Sequence, residues 1–238
     1  MSSAAAEYLN STWNRDKVMG VLQFAPMVLA APVEAATGRK AWAESLLNLS
    51  AMADYYRAIT RLSLLLGSLS RQKIKSVQKI DVPGRKQVAT VDWLCDVLFS
   101  PFEHLALLSK AGVLSKDSGR FGGVCVFFWF WGLVMKLVMI VHDMLLTMPY
   151  LSPGATDSTS LNYKAKFRQL KINFVKFCCW LVFALTCFPV GGPQLLATKA
   201  GALLPVHRFF EVLSPRPLSL PTTVRGALGL VAVACDFI

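Results

Sequence analysis

Few residues of this chain combine a reactive side chain with a suggestive position, and three of them lie in one apolar run. Lys136, His142 and Asp143 fall within FGGVCVFFWFWGLVMKLVMIVHDMLLTM, residues 121–148. A lysine at the bilayer centre costs about 2.5–3.5 kcal/mol on insertion scales, unless it reaches the interface or faces a partner. Two interpretations follow. Either the three residues line a polar path through a membrane, or this helix packs on others or lies shallowly.

No catalytic or metal-binding pattern accompanies these residues. The histidines, His104, His142 and His207, show no ligand spacing. The six cysteines form no Cys-x-x-Cys pair and mostly lie in apolar runs, as expected of buried thiols in a reducing compartment. The G-x-S-x-G and P-loop motifs are both absent from the sequence. We therefore expect no catalytic residue, no metal and no cofactor, and we predict that the protein is not an enzyme.

The composition favours a protein at or in a membrane. Hydrophobic residues make up 54% of the 238 residues, charged residues 16%, and the mean hydropathy is +0.48. An average soluble domain is about 25% charged. The net charge of +11 attracts phosphate, either of anionic lipid or of nucleic acid. Because the aromatic residues lie in apolar blocks and do not alternate with basic residues, we expect an anionic phospholipid membrane as partner and no nucleic acid.

Helix-period patterns are frequent and strand signals are nearly absent, which predicts an all-α fold. We expect amphipathic helices facing the cytosol in residues 1–114, followed by apolar, membrane-embedded helices in residues 115–238. Three runs of the second region could enter a bilayer: residues 121–148, 177–196 and 222–238. Proline and glycine interrupt the second run. The third has only 13 residues after its arginine, short of the roughly 20 that a span requires.

Proline and glycine also predict where helices begin and end. Pro26 lies within an apolar stripe, and because an internal proline costs about 3 kcal/mol we expect a bend or an end there. The stretch Trp42–Ile74 contains no proline and predicts a long amphipathic helix. A third helix is predicted to begin at Pro101, with Ser100 as its N-cap, and to stop at Gly112.

The long amphipathic helix carries the clearest apolar face of the chain. That face repeats at i, i+4, i+7, i+11 and i+14 and consists of Tyr55, Ile59, Leu62, Leu66 and Leu69. Asp54, Arg57 and Arg61 lie on the opposite side of the helical wheel. Two interpretations remain open from the spacing alone. The helix either belongs to the core of a bundle, with a solvated charged face, or it lies on a membrane.

Two basic segments flank apolar helices. Arg71–Lys86 contains six basic residues against one acid, Asp81, and NYKAKFRQLKINFVK, residues 162–176, contains five and no acid. A cluster next to apolar helices indicates anionic lipid or a targeting receptor, although a solvated loop has the same composition. The second segment has the arrangement expected on the cytoplasmic side of a span.

Four stretches, in order, resemble the peroxin eleven family of peroxisomal membrane-elongation factors. They are NRDKVMGVLQF at residues 14–24, YYRAITRLSLLLGSL at 55–69, VDWLCDVLFSPFEHLALLSKAGVL at 91–114 and VRGALGLVAVACDFI at 224–238. The first is the most specific. The chain departs from the family pattern at Pro26, at the leucines at positions 64 and 65 and in the aromatic central run. With these departures it resembles a divergent member of the family, such as a glycosomal protein of a kinetoplastid.

The resemblance implies a function. Family members are multi-pass proteins of the peroxisomal membrane with termini facing the cytosol, which self-associate and promote elongation, fission and proliferation of the organelle. It implies that amphipathic faces insert into the cytosolic leaflet and that basic residues meet lipid headgroups. The inserting residues would be Val18, Val21, Leu22, Tyr55, Ile59, Leu62, Leu66 and Leu69, and the headgroup ligands Arg57, Arg61, Arg71, Lys73 and Lys75. Implied partners are a second copy, the peroxisomal fission machinery and a membrane-protein import receptor.

Two alternatives stand beside this membrane-shaping function. A channel or metabolite pore of the same membrane would use Lys136, His142 and Asp143 as lining residues. A soluble helical bundle would account for the amphipathic helices but not for the scarcity of charged residues.

Overall fold

In the computed structural model, the chain is a bundle of α-helices. The structure describes residues 11–114, 118–151, 158–190, 193 and 204–238, without the side chains of residues 62–64, 158–160 and 204. The helices are α1 (Thr12–Thr37), α2 (Lys40–Thr60), α3 (Leu62–Ser68), α4 (Arg71–Gln78), α5 (Pro83–Lys110), α6 (Ser118–Thr147), α7 (Ser158–Leu185), α8 (Leu204–Leu213) and α9 (Thr222–Ala234). A 3-10 turn at Met148–Tyr150 extends α6. Within these ranges there is no strand, and the predicted all-α class is confirmed.

Helices α5, α6 and α7 form an antiparallel layer. Arg85 near the start of α5 pairs with Asp143 near the end of α6. At that same end of α6, the ring of Tyr150 stacks on that of Tyr163 in α7, with 4.7 Å between centroids. Each of these helices therefore reverses the direction of the one before it.

Aromatic side chains make up much of the buried interior of the described helices. One buried cluster joins α6, α8 and the segment after α7, and consists of Val124, Phe127, Phe188 and Phe210. A second joins α1, α7 and α9, and consists of Phe24, Phe183 and Val233. The rings meet mostly edge to face, the arrangement that suits their quadrupoles. The aromatic block of α6 is thus largely core.

Helix α9 packs on α1 at glycine positions. A Cβ atom at Gly226 would lie 2.7 Å from the Cβ of Met27 and 3.0 Å from the backbone nitrogen of Val28. A Cβ atom at Gly229 would overlap the ring of Phe24. Small residues let helices approach closely, so these two glycines set the spacing between the helices.

Several predicted boundaries were wrong. The helix predicted over Trp42–Ile74 is three helices, because the chain breaks at Arg61 and again at Ser70, whose hydroxyl accepts a hydrogen bond from the backbone nitrogen of Lys73 and caps α4. The helix predicted to begin at Pro101 begins instead at Pro83 and runs through Pro101. Ser100 is buried within it, and among the described residues its hydroxyl has no partner.

Other boundaries follow the sequence more closely. The stop predicted at Gly112 is confirmed, because α5 ends at Lys110 and Gly112 has a φ of 76°. The end considered at Pro26 is wrong. Helix α1 continues through Pro26 and Pro32 and stops before Gly38, whose φ is 67°. Glycine is favoured at this left-handed position.

By length and composition, two of the described helices could cross a membrane. They are α1 and the run Ser118–Tyr150, while α9 is apolar but shorter. The run at residues 121–148 was predicted as a candidate, and the sequence reading overlooked α1 as one. In the run at residues 177–196, the helix ends at Leu185, and residues 191–192 and 194–196 lie outside the described residues.

Candidate membrane-contact site

Helices α2 and α3 expose an apolar stripe along the side of the bundle that faces outward. Its described members are spaced by three, four or seven residues and are Met52, Tyr55, Ile59, Leu66 and Leu69, with exposed fractions of 71, 39, 50, 71 and 47%. The side chain of Leu62, which the sequence assigns to the same stripe, lies outside the described residues. We call this set, without Leu62, the α2–α3 stripe.

The opposite face of α2 is buried against α1. It consists of three small residues, Ala43, Ser50 and Ala53, and one large charged residue, Arg57. Small side chains let the two helices approach closely, while Arg57 requires partners in α1 because a buried charge is costly unless it is paired. Arg57 on this side of α2 thus faces the protein, while Tyr55 and Ile59 on the other side are exposed.

Arg57 is the centre of a buried polar network between α1 and α2. Its guanidinium donates to both carboxylate oxygens of Asp16, at 3.0 and 2.9 Å, and to the side-chain oxygen of Gln23, at 2.5 Å. The amide of Gln23 in turn donates to Asp54 at 2.8 Å. The guanidinium also lies 5.7 Å from the centre of the Phe24 ring. Charge, hydrogen bonds and the ring together compensate for the desolvation of Arg57.

Arg61 extends this network to α5. It donates to Glu103 at 2.5 Å, and its Nε lies 3.7 Å from Asp16. Burial raises the pKa of Glu103, and the positive charge of Arg61 opposes that shift. Burial by itself would lower the pKa of Arg61, but the carboxylates of Glu103 and Asp16 outweigh it, so this pKa is raised. The contact between Arg61 and Glu103 therefore ties the end of α2 to α5.

The predicted headgroup ligands fall into two groups. Arg57 and Arg61 use their guanidinium groups inside the protein, where the sequence had suggested lipid. Arg71, Lys73 and Lys75 are exposed on α4. The sequence reading did not connect Asp16, Gln23 and Glu103 with the arginines. The sequence signal for these partners is that Arg57 and Arg61 lie opposite the apolar face of the helix and that Asp16 is an acid near the start of an apolar stretch.

The predicted inserting residues of α1 differ in environment. Leu22 is 42% exposed, whereas Val21 packs against the cluster around Phe24. Val18 is half-buried. Only Leu22 therefore presents a largely free surface like that of the α2–α3 stripe.

The polar residues of α6 face α5. Lys136 donates to Asp92 at 2.5 Å and to Asp96 at 2.9 Å. Asp143 accepts two hydrogen bonds from Arg85, at 2.6 and 3.0 Å. These pairs reduce the cost of charged side chains in an apolar helix, since each charge has an opposite partner.

His142 lies beside the second of these pairs. Its Nδ1 is 3.8 Å from a carboxylate oxygen of Asp143, and its side chain is 44% exposed. Of the three predicted pore-lining residues, the neighbours His142 and Asp143 therefore lie near Arg85. Lys136 lies about two turns away on the same helix. In the described part of the chain, no group of three His, Cys, Asp or Glu residues could hold a metal ion.

Comparison with known proteins identifies a family. The family model of Peroxisomal biogenesis factor 11 (PEX11) matches residues 3–190, about four fifths of the chain. Neither the curated proteins nor the solved structures yielded a match. The matched range contains the whole Asp16–Gln23–Arg57–Arg61–Glu103 network and the α2–α3 stripe. This chain belongs to the PEX11 family, which comprises biogenesis factors of the peroxisomal membrane with a general role in its proliferation, and not enzymes.

Proposed function

We propose that this protein shapes the peroxisomal membrane by inserting the α2–α3 stripe into the cytosolic leaflet. The single observation that carries the proposal is the orientation of α2. Tyr55 and Ile59 are exposed on its outer side, and Arg57 is buried on its inner side. A helix on the surface of a water-soluble bundle has the reverse orientation.

The physical mechanism is asymmetric expansion of the bilayer. An amphipathic helix whose apolar face is buried about 5–10 Å deep occupies space in one leaflet but not in the other. The leaflet that receives the helix expands, which favours curvature towards that side. Leu22 would extend the inserting surface, while Val18 and Val21 contribute less because they pack within the bundle.

Basic residues would fix the helix at the headgroup level. Arg71, Lys73 and Lys75 follow the stripe directly, on α4, and all three are exposed. Each basic residue near an anionic surface contributes on the order of 1 kcal/mol to association. Arg57 and Arg61 act differently in this proposal, because they hold α2 against α1 and α5 so that its apolar face points outward.

The proposal includes a cellular setting. The protein would be multi-pass with both termini in the cytosol, would self-associate, and would cooperate with the fission machinery after insertion through a membrane-protein import receptor. Elongation followed by fission then multiplies the organelle. The departures from the family pattern, such as Pro26, support a divergent member, and a glycosome of a kinetoplastid would be such a setting.

Tubulation of anionic liposomes by the reconstituted full-length protein tests the mechanism. Ile59→Asp and Leu66→Asp each place a charge in the stripe at a position that is at least half exposed, so the fold should tolerate them. Gln87→Asp is the matched control, since it adds the same charge at an exposed position of α5 outside the stripe. We expect tubulation by the wild type and the control but not by the stripe variants. Equal tubulation by all four proteins would overturn the proposal.

A further inference from the structure

Two basic segments that are distant in sequence converge at one end of the helical bundle. The first is α4, with Arg71, Lys73, Lys75 and Lys79. The second is the first part of α7, with Lys164, Lys166, Arg168 and Lys171. All eight side chains are exposed. More than 80 residues separate the two segments along the chain, so the sequence alone does not relate them.

Contacts of α5 bring the first segment to this end. The indole nitrogen of Trp93 donates to the carbonyl oxygen of Ser68, 2.9 Å away, just before α4 begins. The start of α5 lies beside the end of α6, because Arg85 is bonded to Asp143 at 2.6 and 3.0 Å. Since α4 connects Ser68 to the start of α5, it leads to the end of the bundle at which α5 begins and α6 ends.

A ring contact brings the second segment to the same end. Tyr150, which closes the 3-10 turn after α6, stacks on Tyr163 with 4.7 Å between centroids and 13° between planes. Lys164 follows Tyr163 directly, and Lys171 is only about 12 Å further along the helix, at 1.5 Å of rise per residue. The first basic turns of α7 therefore share the end of α6 with α4.

An exposed apolar border adjoins the basic side chains. Leu145, Leu146, Met148 and Tyr150 are 62, 56, 58 and 57% exposed at the end of α6. Of the acids in and next to these segments that the structure describes, Asp143 is paired with Arg85 and Asp81 is exposed. Aliphatic side chains, tyrosine and exposed cations, in that order, match the polarity of a bilayer from acyl chains to headgroups. An acidic protein would match the cations but not the apolar border.

We propose that α4 and the first half of α7 form one binding surface for the headgroups of an anionic bilayer, at the end of α6. This inference rests on the proposed function only in requiring that the protein lies in a bilayer. It adds α7 as a second lipid-binding element and assigns both segments to the same leaflet. Because basic residues are enriched on the cytoplasmic side, that leaflet is the cytosolic one.

The test measures lipid selectivity of the full-length protein in reconstituted bilayers. Spin-labelled phosphatidylserine and phosphatidylcholine report the relative association of each lipid with the protein surface. The α4 variant carries R71Q, K73Q, K75Q and K79Q, and the α7 variant carries K164Q, K166Q, R168Q and K171Q. The matched control removes four exposed cations elsewhere, with R39Q, K40Q, K110Q and R216Q.

We expect the wild type and the control to prefer phosphatidylserine by a few-fold, and each variant to lose a large part of that preference. The combined variant should show a ratio near one, and so should the wild type in molar salt, where the Debye length is about 3 Å. A full preference in the α7 variant, or an equal loss in the control, would overturn the shared surface. A wild type without any preference for phosphatidylserine would also overturn it.

The same proteoliposomes separate this inference from the proposed function. Tubulation that persists in Ile59→Asp, together with selectivity that depends on both basic segments, would contradict membrane shaping by the stripe and support the headgroup surface. Loss of tubulation in Ile59→Asp, with no effect of the α7 variant on lipid selectivity, would support membrane shaping by the stripe and contradict the shared headgroup surface.

Discussion

The guanidinium of Arg57 holds both carboxylate oxygens of Asp16 across the interface of α1 and α2, at 3.0 and 2.9 Å. Both residues belong to stretches that resemble family motifs. Asp16 lies in the stretch at residues 14–24, and Arg57 lies in the stretch at residues 55–69. Their shared chemistry is a bidentate ion pair inside the protein, which fixes the angle at which α2 presents its apolar side. Asp16 and Arg57 therefore position the α2–α3 stripe without belonging to it.

The first prediction concerns this pair. Arg57→Ala leaves Asp16 without its main partner, and Asp16→Ala does the same to Arg57. The side chains are only 8 and 18% exposed, so each substitution should lower the free energy of unfolding by about 3–5 kcal/mol. The double substitution should cost clearly less than the sum, because it removes the charges of Arg57 and Asp16 together. Thermal unfolding of the detergent-solubilised proteins measures all three, and additive losses would contradict the pairing.

The second prediction concerns the glycines of α9. Gly229→Val should separate α9 from α1, because even a single Cβ atom at this position overlaps the ring of Phe24. Ala227→Val is the matched control at an exposed position of the same helix. We expect a lower Tm and faster proteolysis of the C-terminal helix in Gly229→Val only. Phe24→Leu should partly restore the helix packing of a Gly229→Ala variant, since it removes the ring that the added methyl group meets.

The third prediction is a pH dependence. Burial raises the pKa of Asp92, although the charge of Lys136 opposes the shift. The folded state therefore binds a proton more tightly than the unfolded state, and stability falls as the pH rises from the ordinary range of an aspartate through the raised pKa. Asp92→Asn removes this titration. Between pH 4 and pH 7 we expect the Tm of the wild type to decline relative to that of Asp92→Asn; a constant difference would contradict the raised pKa.

Much of the fold could be predicted from residue spacing, and the exceptions have physical reasons. The apolar faces and the stop at Gly112 follow from helical periodicity and from the left-handed conformation that glycine tolerates. The start predicted at Pro101 was wrong because packing of α5 on α6 outweighs one lost hydrogen bond. Local sequence gives no measure of that packing.

The candidate site also has one part that the sequence predicts and one part that it does not. The apolar face of α2 and α3 could be predicted from the spacing within these helices, whereas its outward orientation was left open. The burial of Arg57 and Arg61 could not, because it depends on Asp16 in α1 and Glu103 in α5, which are 41 and 42 residues away. The spacing of charged residues in one helix does not reveal which distant helix will neutralise them.

The fourth prediction addresses the pore alternative through Lys136. Its ammonium group bonds Asp92 and Asp96 between α5 and α6, so its main effect should be structural. Lys136→Met leaves two carboxylates without a cation and should lower the Tm, whereas Lys136→Arg should retain most of the stability.

If the reconstituted protein conducts solutes, a pore lined by Lys136 requires that Lys136→Ala change the conductance of properly folded protein. We expect no such change once conductance is normalised to the folded fraction measured by thermal unfolding. A changed single-channel conductance with an unchanged Tm would reverse that assignment and identify Lys136 as a lining residue.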